Sequence, residues 1–408
     1  MTNGTDPGWL TPNVRTLSGV SFLQDAASEM LYPVLPIFLT VTLGAPASVV
    51  GLVEGVAEGI AALTKLIAGR FADRRARKPL IALGYGLAAC AKAVIAVATA
   101  WPVVLAGRGA DRVGKGIRGA PRDALLMVDV PIHERGRVFG FHRAADTAGA
   151  VVGPALGLGL YELLGHRIRP LLLIAVVPAV LSVLLVAAVR EGAKPVPRPE
   201  PASAKPDIAA PTHLSPSLRR LLVVLTGFGL INFPDALLLL RAHELGLTTA
   251  GVIAAYIAYN IVYAAGAYPA GALSDRVPRH RIFALGLAFF ALGYVGLGLI
   301  RTPWLVFIIL PLYGGFAACT DGVGKAWVSS LADPDRQGGA QGLYQALSGG
   351  SILAAGIWAG LAWHGDGTMP LLISGFAAAV LAAALFMFGS NLSRHPGEPD
   401  ELPERRPA

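Results

Sequence analysis

The chain has 408 residues, 54% of them hydrophobic and only 15% charged, a balance that excludes an ordinary soluble domain of this size. Mean hydropathy is +0.58, and apolar runs of the ~20 residues needed to cross ~30 Å of hydrocarbon recur along nearly the whole length. The net charge of +8 does not signal nucleic-acid binding, because the cations sort by position along the spans rather than forming a patch. Twelve spans are predicted, at 17–42, 47–71, 79–99, 102–126, 137–164, 169–190, 217–241, 248–273, 280–301, 303–330, 339–364 and 368–391. Residues 1–16 lack a basic-then-apolar leader, so the first span is expected to be retained.

Span 1 carries Asp25 and Glu29, four residues apart and hence on one helical face. Pro33 and Pro36 follow, predicting a kink in the second half of that span. In span 2, Glu54, Glu58 and Lys65 lie within about 40° of one another. The loop after it reads Gly69-Arg-Phe-Ala-Asp73-Arg74-Arg-Ala-Arg77-Lys78. Span 4 is the most charged: Arg108 to Asp123 holds five cations and two carboxylates. Arg108, Asp111, Arg112, Lys115, Arg118 and Arg122 fall within roughly a third of the helix circumference. One charge at the bilayer centre costs about 2.5–3.5 kcal/mol on the mild insertion scale, so this stripe must face a wet cavity or a partnered interior.

Span 5 opens with His142, Arg143 and Asp146. Without a second His or Cys, a hydrogen-bonded pair is favoured there over a metal site. Gly149, Gly153 and Gly157 follow at four-residue steps with Pro154 between them, a spacing that lets two helices approach closely. Residues 191–216, rich in Pro, Ala, Lys and Glu, read as a cytoplasmic linker. Its place divides the chain into a first six-helix bundle (1–190), the linker, a second bundle (217–391) and a cytoplasmic tail (392–408).

The second bundle is poorer in charge inside its spans than the first. Span 7 offers Asn232-Phe-Pro-Asp235 and Arg241. Span 8 sets Tyr256, Tyr259, Asn260 and Tyr263 on one face, span 10 carries Trp327, and span 11 Tyr344 with Gln345. Asp321 and Lys325 share a face of span 10 and are expected to pair. Repeats cross the linker. Gly69-x-x-x-Asp73-Arg74 matches Gly271-x-x-x-Asp275-Arg276, and Asp111-Arg-Val-Gly114-Lys115 matches Asp321-Gly-Val-Gly324-Lys325. A duplicated bundle of this kind is the organisation of transporters that rock about a midplane site.

Of the 34 Lys and Arg, 20 fall in segments on one side of the twelve-span arrangement, three on the other and 11 within spans. This positive-inside pattern predicts both termini in the cytoplasm. Cys90 and Cys319 lie in different halves, which argues against a disulfide framework or metal cluster. No GxxxxGK[ST] loop is present, so ATP is not expected to drive the process. Neither enzyme activity, a cofactor nor nucleic acid is expected.

These motifs resemble those of the major facilitator superfamily over essentially the whole chain. The loop from Gly69 to Lys78 is similar to the superfamily's motif between helices 2 and 3, with Ala76 where Gly is usual. Arg112-x-x-Lys115-Gly116 resembles the motif with a buried arginine, with Lys115 where Gln is common. Gly149-x-x-x-Gly153-Pro154-x-x-Gly157 is similar to the motif of exporters that exchange substrate for protons. The resemblance implies twelve transmembrane helices in two pseudosymmetric six-helix bundles, an all-α integral membrane fold. It also implies cytoplasmic gate roles for Asp73, Arg74, Asp275 and Arg276.

Two readings of the acids are open. Asp25, Glu29, Glu54 and Glu58 either load and release a coupling proton beside Arg112 and Lys115, with Asp25 and Glu54 favoured, or they are permanent partners of the span 4 cations. Arg118, Arg122 and Asp123 are expected at the cytoplasmic gate. Tyr256, Tyr259, Asn260, Asp235 and Trp327 are expected to contact a small organic ligand, or else to serve as packing and belt residues. The expected whole is a monomeric, multi-pass transporter of the cytoplasmic membrane, coupled to protons and most simply an exporter. The alternatives are an importer or facilitator of an organic anion or metal chelate, a metal-ion exporter, and a membrane-embedded sensor.

Overall fold

In a computed structural model of the chain, the described residues are 9–71, 77–128, 130, 135–191, 214–274, 276–332 and 337–390. All regular structure among them is helical. Span 1 begins at Pro12, where the Thr11 hydroxyl accepts from the Val14 amide and proline fits the donor-poor first turn. It runs to Leu31, tightens into a 3-10 turn at Tyr32–Val34 and loosens into a π turn at Phe38–Thr42. Pro33 and Pro36 withhold two amide donors there, which is the expected kink. Span 7 breaks further than expected. It forms Pro216–Gly229 and Asp235–Glu244, joined by non-helical residues around Asn232 and Pro234. Each half therefore opens with an interrupted helix.

The remaining spans are Ala47–Phe71, Arg77–Ala96, Trp101–Leu126, Arg135–Leu163 and Ile168–Val186 in the first half. In the second they are Thr249–Ser274, Arg279–Leu299, Val306–Leu331, Gln337–Leu361 and Thr368–Phe388. Seven of the twelve are long and apolar enough by themselves to cross a membrane. The other five are helical but polar or interrupted, so they need partners inside a bundle. Spans 6 and 12 are only 28% and 33% buried. Their outer faces carry Leu184 and Phe386 at 63% exposure each, as lipid contact requires.

The packing repeats. Span 4 lies on spans 2 and 3, and span 3 on span 6; correspondingly span 10 lies on spans 8 and 9, and span 9 on span 12. Span 1 packs on span 5 as span 7 packs on span 11. Between the halves, span 2 meets span 11 and span 5 meets span 8, two contacts that a pseudo-twofold axis exchanges.

The contact between spans 2 and 11 is backbone against backbone. A Cβ on Gly356 would lie 2.6 Å from the Gly51 carbonyl oxygen, and one on Gly360 2.9 Å from Ser48 Cα. These glycines sit at the end of the bundle away from the chain termini, called here the far end. Replacing Gly356 with leucine is expected to wedge the halves apart there. Labelling of a Ser48→Cys side chain by an impermeant maleimide should rise severalfold, and unchanged labelling would contradict a seal at this point.

The far end of the second half is tied by Asp366. Its carboxylate meets Arg301 at 3.1 Å and Arg241 at 3.4 Å and accepts the Thr368 hydroxyl at 2.8 Å. Burial alone would raise the Asp366 carboxyl, but the Thr368 bonds and the Arg241 charge outweigh it and hold the group below the ordinary carboxylate range. A depressed carboxyl stabilises the fold at neutral pH, and that contribution fades as pH falls through the lowered value. Asp366→Asn is expected to cost about 1 kcal/mol or less because the side chain is partly exposed, at 41%. The loss should read as a small drop in thermal midpoint at pH 7 that disappears in strong acid; a drop that persists there would assign the effect to packing.

Candidate functional site

The span 4 stripe faces inward. Arg108, Asp111 and Arg118 are each 6% exposed or less. Arg108 grips Glu54 with both nitrogens of its fork, Nε to Oε1 at 2.8 Å and the second arm to Oε2, the bidentate geometry that makes such pairs strong. Lys92 of span 3 donates to Asp111 at 2.9 Å. Arg112 meets Glu58 at 3.1 Å and Glu54 at 4.0 Å. Lys92, Arg108 and Arg112 thus face Glu54, Glu58 and Asp111 in a block without net charge, which is how charges are tolerated at membrane depth. Lys92 escaped the sequence reading. A lone lysine in an apolar span was its signal, since such a group needs a carboxylate nearby.

Beside this block lies a cavity of about 530 Å³ between the halves, lined by residues that include Asp25, Lys115, Arg122, Lys325 and Gln345. It lies toward the end that carries both termini. Asp25 and Lys115 are close enough for their charges to interact, yet neither has an ion pair within 4 Å among the described residues. Arg112 and Lys115 have different surroundings: Arg112 is held by Glu58, while Lys115 opens into the cavity. Arg122 holds Asp123 at 3.0 Å and donates to Ser21 at 3.2 Å. Arg118 lies over the Tyr85 ring at 4.4 Å and donates to the Gly84 carbonyl at 3.4 Å. His142 sits 3.7 Å from Asp146, too far for the expected hydrogen bond, and its ring nitrogens contact the Ser18 and Ser21 hydroxyls at 3.3 and 3.4 Å instead.

Nearer the far end, the Tyr256 hydroxyl donates to Glu29 at 2.6 Å, joining span 8 to span 1. Asp235 accepts hydroxyls from Tyr259 at 3.1 Å and Tyr313 at 2.7 Å. Asp321 accepts from Tyr263 at 3.0 Å. The expected Asp321–Lys325 ion pair is not formed within 4 Å among the described residues, because span 8 presents that phenol first. The first half balances its acids with cations, and the second with tyrosines. The rings stack, Tyr256 on Tyr259 at 5.7 Å and Tyr259 on Tyr313 at 5.6 Å.

Asn260 turns its amide to the Tyr256 carbonyl at 3.0 Å and is buried. Trp327 is 1% exposed, packed against Phe283 with ring centres 6.0 Å apart. It does not line the cavity, because its face of span 10 points into the core of the second half. Tyr32, unmarked by sequence reading, packs on Tyr256 at 5.6 Å under the Arg108 guanidinium. Gly149 and Gly153 bring span 5 onto the backbone of span 1 at Phe22 and Ala26. Gly157 meets Met30, and the helix continues through Pro154. Arg276 is exposed in the turn after span 8. Asp73, Arg74, Asp275 and the Lys65 side chain lie outside the described residues.

Two helical bundles exchanged by a pseudo-twofold, with a polar cavity between them, define a membrane transporter. The chain belongs to the Major Facilitator Superfamily, whose family description matches residues 17–239 and 221–407. It is 31% identical to an uncharacterised MFS-type transporter of Methanocaldococcus jannaschii, covering 93% of this chain and 95% of that one. A shorter similarity, 32% identity over 33% of each chain, links it to the multidrug resistance protein MdtH of Photorhabdus laumondii. Among solved structures, a point mutant of the nucleoside transporter NupG shares the fold with a TM-score of 0.77 at 16% identity, covering 92% of this chain and 99% of that one.

Proposed function

We propose that the protein is a proton-coupled secondary transporter of the cytoplasmic membrane that exports a small organic molecule by alternating access. The observation that carries this reading is the asymmetry of one central cavity. It reaches the terminal end, while Gly51 and Gly356 close the far end. The excess of Lys and Arg on the terminal side supports a cytoplasmic placement for that end and for both termini. The cavity then stands in a form that faces the cytoplasm, and the chain works as a monomer.

Asp25 is the proton carrier in this reading. It borders the cavity and has no ion pair within 4 Å among the described residues, so it can exchange a proton as access changes. Glu29 shares its face and is bonded to Tyr256 across the halves, so protonating it would loosen a tie that holds the far end shut. Glu54 and Glu58 are held by Arg108 and Arg112, which fits the neutralising role better. Tyr256, Tyr259 and Asp235 lie outside the lining of this cavity, and in this reading they meet the ligand only as access changes. Arg118, Arg122 and Asp123, with Asp73, Arg74, Asp275 and Arg276, control the cytoplasmic entrance. Export is favoured by the Gly149–Gly157 packing motif and by the partial similarity to MdtH.

Proteoliposomes with an imposed pH gradient test the proposal, using a panel of amphipathic cations, organic anions and ferric chelates. Movement of at least one solute coupled to opposite proton movement is expected. Solute movement down its own gradient, indifferent to pH, would remove the coupling.

A further inference from the structure

The repeat places a lysine at the same position in each half: Asp111-x-x-x-Lys115 in span 4 and Asp321-x-x-x-Lys325 in span 10. Four-residue spacing on a helix normally lets the carboxylate answer the lysine. Here both carboxylates are taken by other helices, Asp111 by Lys92 at 2.9 Å and Asp321 by Tyr263 at 3.0 Å. Both lysines are exposed and line the same cavity, and neither has an ion pair within 4 Å among the described residues.

The rest of the wall does not neutralise them. The lining carries Arg118, Arg122 and Arg143 beside the two lysines, against Asp25, Asp123 and Asp146. Arg122 is matched by Asp123 at 3.0 Å and Arg143 by Asp146 at 3.8 Å. Lys115, Arg118 and Lys325 then face Asp25. An adjoining lobe of about 270 Å³ adds Glu58, matched by Arg112, and Asp321, which keeps its charge while accepting from Tyr263, so the lining retains an excess of one positive charge. A cleft lined by an excess of one sign concentrates the opposite sign, and a lysine ammonium serves as a point charge for carboxylate or phosphate oxygens.

We propose that Lys115 and Lys325 form a clamp, one jaw from each half, for a small organic molecule bearing at least two anionic oxygens, as a polycarboxylate or a phosphate ester. Because the jaws belong to different bundles, the bound anion draws the halves together at the open end. Occupancy then favours the closed intermediate that translocation requires. The clamp rests on the transport reading above, though not on its direction.

The test uses the full chain in nanodiscs, with citrate and glucose 6-phosphate as probes, sodium chloride at equal ionic strength as control and tetraphenylphosphonium as the opposite charge. One or both anions should raise the thermal midpoint, and which one acts distinguishes carboxylate from phosphate. Lys115→Gln and Lys325→Gln should each weaken apparent affinity by about tenfold or more, the effect of losing one charged hydrogen bond. Lys→Arg at either site should keep most of it, and the unliganded midpoints should stay near that of the unaltered chain. No shift with either anion, or a shift that survives in the double glutamine variant, overturns the clamp. A parallel proton-flux assay separates the two claims. Coupled movement of the cation without anion binding removes the clamp and leaves the transporter; anion binding without translocation of any solute removes the transporter and leaves the clamp.

Discussion

Arg108→Ala is expected to destabilise the first bundle by about 3–5 kcal/mol, the range for removing one partner of a buried ion pair. Glu54 is 2% exposed and receives both arms of the guanidinium. Its carboxylate would be left in the bundle with Arg112 4.0 Å away as the remaining cation. The same guanidinium lies over the Tyr32 ring, so packing is lost along with charge. Replacing both members by apolar residues of similar size, Arg108→Met with Glu54→Leu, should recover most of the loss, because the dehydration of two ions is removed together with their attraction. Unfolding of the purified chain in mixed micelles reads both values. A cost below about 1 kcal/mol for Arg108→Ala would show that water reaches the pair, since exposed pairs contribute no more than that.

Asp25→Asn is expected to abolish proton coupling while the chain folds normally and still binds solute. The amide keeps the shape of the carboxyl but cannot take up or release a proton. No ion pair within 4 Å is broken by the change among the described residues, so stability should move little, in contrast to Arg108. The variant should equilibrate a solute down its own gradient and fail to concentrate it under a pH gradient. Retained concentration would assign the proton to another acid. Glu29→Gln is the comparison to make next, because it keeps a hydrogen-bond acceptor for Tyr256 and isolates the proton from the tie.

Several parts of this arrangement are legible from residue spacing. Pro33 and Pro36 mark the kink of span 1 because each withholds an amide donor, whereas the break of span 7 at Pro234 goes beyond what its spacing announces. Asp25 and Glu29 share a face because they are four residues apart, and the Lys115 and Lys325 segments align because the halves descend from one pattern. Periodicity says which face a residue takes, but not how far along its partner helix the counter-charge lies. For that reason Arg112 stood out within the stripe, although Arg108 holds the bidentate contact with Glu54. Asp321 and Lys325 also looked like a pair until Tyr263 of span 8 supplied a nearer donor. Trp327 was expected at the ligand because aromatic residues often line binding sites; which side of span 10 is core depends on spans 8 and 9. The seal at Gly51 and Gly356 joins residues some 300 positions apart, and nothing local in either span announces it.

Two-sided accessibility of the central cavity tests alternating access most directly. A cysteine placed at Gln345, on the second-half wall, can be labelled from either face of sealed vesicles by an impermeant maleimide. Alternating access predicts labelling from the cytoplasmic face at rest, and labelling from the opposite face once a pH gradient or bound solute drives the exchange. Gly356→Leu should raise the opposite-face labelling without any gradient. Labelling confined to the cytoplasmic face under every condition, with solute flux intact, would contradict a single cavity that serves both sides in turn.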